Sequence, residues 1–187
     1  MDDFIKNLNE KVSKARHSEV LYEYCIDKVW YPVNEGCPYR LLECLSTSLD
    51  DSLILDIGTC LGTSAICLSK NKSNRVISYD IHDCVSQHGG KNLTHLPNIE
   101  YRIGNCLDDP DIFKEAGLIS LDIGHDGLEE QKIYDKIKEV GFKGWLVLDD
   151  IYLNPEMVSF WNNIDLPKRD ITNIGHSTGT GLVFFNG

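Results

Sequence analysis

Short apolar runs recur along this chain, and each one stops at an acidic residue or a glycine. Leu53–Ile57 ends at Gly58, Val76–Tyr79 at Asp80, Ile99–Ile103 at Gly104, Leu118–Leu121 at Asp122, and Trp145–Leu148 at Asp149-Asp150. Runs of this length bounded by turn residues predict buried strands. Most are separated by helix-length segments: Thr63–Ser69 follows a glycine-punctuated turn, and another helix begins near Leu128. Alternating strands and helices imply parallel βαβ units.

Both ends of the chain depart from that rhythm. Phe4, Ile5, Leu8, Val12, Val20, Leu21, Tyr24, Cys25 and Val29 fall at broadly helical spacing and predict two N-terminal helices. The stretch Tyr31–Pro38, with two prolines and a glycine, reads as a loop, after which Tyr39–Leu49 resumes a helix. Near the other end, Pro155–Asn163 is read as a helix whose Trp161 packs on the sheet. Asp170–Ile174 and Leu182–Phe185 are strand-like, but only Gly175–Gly181 lies between them. Parallel neighbours need a connection of about a dozen residues, so this pair predicts an antiparallel hairpin. The expected architecture is an α/β fold with a Rossmann-like, seven-stranded, mostly parallel sheet. Helices cover both faces, the last strand is antiparallel, and N-terminal helices precede the core. A chain of 187 residues suits one domain, with N-terminal helices and a substrate-side loop over 1–50 and the Rossmann-like core over 51–187.

Composition changes this picture in three ways. The formal net charge of −11 opposes a phosphate backbone, so nucleic acid is not the expected substrate. No apolar run approaches the roughly 18 residues of a spanning helix, and the start Met-Asp-Asp-Phe lacks the basic and apolar regions of a signal peptide. A cytoplasmic protein with no membrane partner is expected. The 7 cysteines are odd in number and contain no C-x-x-C pair, which favours reduced thiols over a zinc site.

The candidate chemistry lies where the strands end. In Asp56-Ile57-Gly58-Thr59-Cys60-Leu61-Gly62-Thr63-Ser64, glycines after a strand let the backbone approach a ligand, and the following helix offers free N–H groups. Asp80 closes the next strand, where a carboxylate can accept hydrogen bonds from ribose hydroxyls. Together they indicate an adenosine-type ligand, although such a turn serves dinucleotides as readily as other nucleosides. Ligands of open α/β sheets lie beyond the carboxyl ends of the strands, so Asp122, His125, Asp149, Asp150 and His176 should converge there. Their carboxylate oxygens suit Mg²⁺ or Ca²⁺. Asp126, before Gly127, reads as a solvated loop carboxylate or a helix cap, and His17, His82, His88 and His95 are assigned no role. His176 in the final hairpin and Tyr31 beside the proline loop are the candidates for substrate contact.

Through Asp56–Gly62, Asp80 and Gly104-Asn105-Cys106, the sequence resembles the class I S-adenosylmethionine (SAM)-dependent methyltransferases from about Leu53 onward. The resemblance implies that the glycine-rich turn holds the methionine part of SAM, Asp80 the ribose, and Asn105-Cys106 borders the adenine. The implied cofactor set is Asp56, Gly58, Thr59, Cys60, Gly62, Ser64, Asp80, Ile81, Asn105, Cys106 and Asp122. Cys60 departs from the family, many members of which carry glycine there. Leu121–Gly127 and Val147–Ile151 look like the metal-dependent O-methyltransferases of the catechol, caffeoyl-coenzyme A and macrolide-sugar kinds. That branch implies a divalent metal, Mg²⁺ above all, at Asp122, Asp149 and Asp150, with His125 as base beside catalytic Asp122. Because His stands where the catechol type has Lys, the sugar-modifying members are the nearer likeness.

The function expected is methyl transfer to a hydroxyl of a small polar acceptor, a sugar among them. Three alternatives stay open: a metal-independent SAM methyltransferase, a nucleoside-binding module without catalysis, and an NAD-dependent oxidoreductase. The short chain also leaves room for a second copy to complete the pocket.

Overall fold

A computed structural model describes residues 1–15, 38–84 and 96–186. The second N-terminal helix, most of the proline loop with Trp30 and Tyr31, and His17, His88 and His95 lie outside the described residues.

Helix α1 (Asp2–Lys14) buries Leu8 and Val12, one turn apart on the same face, and its Phe4 stacks on Trp145 at 4.2 Å. It packs against α2 (Tyr39–Ser46). Strand β1 (Leu53–Ile57) leads through the glycine-rich turn into α3 (Thr63–Leu68), and β2 (Arg75–Asp80) and β3 (Ile99–Ile103) follow. Next come α4 (Ile112–Glu115), β4 (Ala116–Leu121), α5 (Leu128–Glu139), β5 (Gly144–Asp149) and α6 (Pro155–Asn163). A short β6 (Lys168–Asp170) and β7 (Thr180–Phe185) end the sheet.

The 7-stranded sheet runs β3-β2-β1-β4-β5-β7-β6. Strands β1 to β5 pair in parallel, and β7 lies antiparallel between β5 and β6. The continuous apolar runs follow from this layering, because both faces of the central strands are covered. On one face α1, α2 and α3 bring Leu8, Leu41, Leu45 and Leu68 against Ile54 and Leu118. On the other, α5 and α6 bring Ile133, Ile137, Phe160 and Trp161 against Leu55, Ile119 and Leu146. Strand order reverses between β1 and β4, which opens a crevice beyond their carboxyl ends. Among the described residues no helix is long and apolar enough to cross a membrane.

Two elements depart most from expectation. The strand read as Asp170–Ile174 lies earlier, because Asp170 Oδ1 accepts from the amide and hydroxyl of Thr172 and turns the chain into a 3₁₀ turn over Thr172–Ile174. The helix read as Tyr39–Leu49 stops at Ser46, where Thr47 and Ser48 direct their hydroxyls back to the Cys44 carbonyl. The described cysteines Cys44, Cys60, Cys67, Cys84 and Cys106 are free thiols.

Candidate active site

A cavity of about 860 Å³ spans the crevice, with the glycine-rich turn at one end and the carboxyl ends of β4 and β5 at the other. The turn is held to β2 by backbone bonds: Gly58 and Thr59 donate to the Tyr79 carbonyl at 2.9 and 3.1 Å. Cys60 N donates to Asp80 Oδ2 and His82 N to Asp80 Oδ1, both at 2.8 Å. Two amides thus fix the Asp80 carboxylate at the cavity wall, and each oxygen keeps capacity to accept another hydrogen. Cys60 has φ 44°, so it takes the left-handed backbone that suits glycine and leaves the turn's course intact. Beneath the turn, Asp56 Oδ2 accepts from Ser78 Oγ at 2.6 Å and Ser64 Oγ at 3.0 Å, and Thr59 Oγ1 pairs with Ser78 Oγ at 2.6 Å. Burial pushes the Asp56 carboxyl up to about 6, against the opposing pull of the two serine hydrogen bonds.

At the other end, Asp122 directly follows β4, Asp149 ends β5, and Asp150 comes next with φ 57°. His125, at φ 58°, turns its Nε2 to 3.4 Å from Asp122 Oδ1 and 3.5 Å from Asp150 Oδ2. From the β6–β7 connection His176 brings Nδ1 to 3.2 Å from Asp149 Oδ2 and 3.1 Å from Asp150 Oδ1, and Thr178 Oγ1 donates to Asp150 Oδ1. The Asp122 side chain is 47% exposed, but its open side faces the cavity. Its carboxyl is pushed up to about 7, chiefly by burial among protein atoms and then by the charges of Asp149 and Asp150. His176 is pushed up to about 10, foremost by its hydrogen bond to Asp149 and then by that to Asp150. Burial raises Asp150, but the hydrogen bonds from His176 and Thr178 outweigh it and hold the carboxyl below its usual range.

No protein-family model and no curated protein matches the sequence. Solved structures do match. A candidate caffeoyl-CoA O-methyltransferase from Staphylococcus aureus superposes with a TM-score of 0.64 at 14% identity, over 98% of each chain. A methyltransferase from Geobacter sulfurreducens follows with 0.61 at 14% identity, over 95% of this chain and 89% of that one. An RNA methyltransferase from Salinibacter ruber in complex with S-adenosyl-L-homocysteine gives 0.55 at 18% identity, over 79% and 90%. The chain has the class I methyltransferase fold.

In this methyltransferase fold, Gly58, Thr59, Cys60, Ser64, Asp80, Ile81, Asn105, Cys106 and Asp122 line the cavity, as do His125, Asp149, Asp150 and His176. Asp56 and Gly62 stand outside the lining: Asp56 anchors Ser64 and Ser78 beneath the turn, and Gly62 precedes α3. His82, assigned no role from sequence, supports Asp80 through its amide and lines the cavity as well. Of the two readings of Asp126 the structure favours the cap, its Oδ1 accepting from Leu128 N and Glu129 N at 2.8 and 3.0 Å. Tyr31 lies outside the described residues.

The acid cluster fits a divalent cation. One ligand atom each from Asp122, His125 and Asp150 lies within 4.8 Å of the others, and the same holds for Asp149, Asp150 and His176. The oxygens of Asp122, Asp149 and Asp150 are hard donors suited to such an ion, and Asp149 Oδ1 is buried with no partner.

Three contributors to this end escaped sequence reading. Glu130 Oε1 accepts from His125 N at 2.8 Å, Asn154 Nδ2 donates to His125 O at 2.7 Å, and Thr178 holds Asp150. Glu130 carried a usable signal: an acid at the third position of a helix can reach back to amides before the helix start.

Proposed function

We propose that this chain is a SAM-dependent methyltransferase that acts on a hydroxyl of a small polar acceptor, with a sugar as the favoured class, and uses a divalent cation. The carrying observation is one cavity with the Asp80-anchored turn at one end and the Asp122, His125, Asp149 and Asp150 cluster at the other. The class I methyltransferase fold supports the same reading.

In this reading Gly58, Thr59 and Cys60 border the methionine part of SAM, Asp80 accepts the ribose hydroxyls, and Ile81, Asn105 and Cys106 border the adenine. Asp122, Asp149 and Asp150 hold the cation. When bound, SAM supplies an electrophilic sulfonium methyl and the cation lowers the pKa of a nearby hydroxyl. His125 Nε2, facing the same acids, accepts the hydroxyl proton. A polyanionic acceptor suits this end poorly: Asp122, Glu129, Asp149 and Asp150 line it, and Lys132 is the one lysine or arginine among the described lining residues. Nucleic acid is therefore not the proposed acceptor, although an RNA methyltransferase shares the fold.

A metal-free variant draws on His176, whose imidazole already places positive charge between Asp149 and Asp150. Calorimetry separates the readings. SAM and S-adenosylhomocysteine should bind and NAD should not, whereas NAD binding alone would point to an oxidoreductase. Mg²⁺ should bind the wild type and fail to bind Asp149→Asn/Asp150→Asn. Identical heats from both proteins would select the metal-free variant.

A further inference from the structure

Beneath the glycine-rich turn most hydroxyls are satisfied within the protein: Thr59 pairs with Ser78, and Ser64 and Ser78 both donate to Asp56. Thr63 and Ser120 differ. Each is 6% exposed and lines the cavity, yet neither side chain makes a hydrogen bond among the described residues. A hydroxyl withdrawn this far from water costs free energy unless it finds a partner. Two such groups on one cavity wall point to a polar group that arrives with a ligand.

The sheet register brings the two residues to one place. Ser120 on β4 is the partner of Asp56 on β1, and neighbouring strands lie about 4.8 Å apart. Thr63 opens α3 just before Ser64, whose Oγ reaches Asp56 Oδ2 at 3.0 Å. Both residues therefore neighbour Asp56 on the β4 side of β1, whereas Asp80 ends β2 on the other side. A SAM molecule that sets its ribose at Asp80 and crosses the turn at Gly58 carries its amino-acid end to this β4 side. Helix α2, packed on α3, lends Leu41 and Leu42 to the same cavity, which suits a methylene chain but offers its charged end nothing. Ser64, which the family resemblance brought into the cofactor set, commits its one O–H to Asp56 and has no hydrogen left to donate.

We propose that the hydroxyls of Thr63 and Ser120 bind the amino-acid end of SAM, in the role that Ser64 gives up to Asp56. The proposal rests on the reading of this cavity as a SAM site. A hydroxyl can donate to the α-carboxylate or accept from the α-ammonium, so two of them can serve both charges of the zwitterion. Neither residue belongs to the set that the glycine-rich motif implies, and Ser120 comes from a strand more than fifty residues further along the chain.

Calorimetry with two ligands tests this: S-adenosylhomocysteine, and 5′-methylthioadenosine, which keeps the adenosine and the sulfur but lacks the amino-acid end. In Ser120→Ala and in Thr63→Val the Kd for S-adenosylhomocysteine should rise about tenfold or more, the loss of one hydrogen bond to a charged group, while that for 5′-methylthioadenosine stays within about threefold of wild type. Thr63→Ser keeps the hydroxyl and should bind S-adenosylhomocysteine as the wild type does. Unchanged affinity for S-adenosylhomocysteine in a folded variant of either residue overturns the proposal. So does an equal loss for both ligands, which would place the effect in the fold or in the adenosine half. If one variant does not fold, the other decides. A wild type that binds neither ligand overturns the SAM reading and the proposal with it, whereas a wild type that binds S-adenosylhomocysteine alongside unaffected variants overturns the proposal alone.

Discussion

Cys60 donates its backbone N–H to Asp80 Oδ2 at 2.8 Å, so the turn after β1 and the acid ending β2 form one unit. Asp80→Ala removes the proposed ribose acceptor and the anchor of the turn together. SAM affinity should drop by about a hundredfold or more, the loss of two hydrogen bonds to a charged group. Calorimetry on folded variant protein reads this. An affinity within a factor of three of wild type would remove Asp80 from the ribose assignment.

Backbone geometry in the same turn predicts opposite outcomes at two neighbouring positions. Gly58 has φ 103°, and a Cβ there would sit 1.7 Å from the Asp122 carbonyl oxygen. Gly58→Ala should destabilise by about 3 kcal/mol through strain and overpacking. Cys60 already bears a side chain at φ 44°, and that side chain is exposed. Cys60→Gly relieves the strain but gives back part of the gain through the freer unfolded chain, so it should be neutral to stabilising by about 1 kcal/mol. Thermal melts check the pair, and equal effects at both sites would refute the backbone account.

Asp56 should make stability depend on pH in a defined sense. Its folded carboxyl is raised from 3.8 to about 6, so between those values the folded state binds more protons than the unfolded state. Stability therefore falls as pH rises through that window, by up to about 3 kcal/mol for this group, and stays lower above about pH 6. Asp56→Asn removes this term. The melting temperature of Asp56→Asn relative to wild type should be higher at pH 7 than at pH 4. A pH-independent difference would show that the buried serine hydrogen bonds fully offset the desolvation.

His125→Ala should lower the single-turnover methylation rate by about 10²- to 10⁴-fold, with an acceptor that the wild type methylates, and leave SAM affinity near wild type. If His125 only shapes the turn before α5, the variant would melt earlier while its folded fraction kept the rate.

The order of strands and helices was legible along the chain because burial on both faces writes apolar runs, and turns write glycine and acid at their ends. Asp80 and the acids Asp122, Asp149 and Asp150 were legible for the same reason: each closes or directly follows a strand, and parallel strands deliver such residues to one edge. The short link before β7 disclosed the reversed strand. The end of β6, by contrast, was set by an Asp170 to Thr172 side-chain turn that leaves no periodic mark. Only the folded chain decided that Asp56 lies under the glycine-rich turn rather than in the cavity, and that Thr178 holds Asp150 from the β6–β7 connection. Glu130 shows the limit most plainly. Its helical position is local and readable, but its pairing with the His125 amide depends on a left-handed turn stabilised by Asn154 from another helix. Strand ends are placed by a local pattern, whereas the partners of a buried side chain are chosen by segments distant in sequence that meet only on folding.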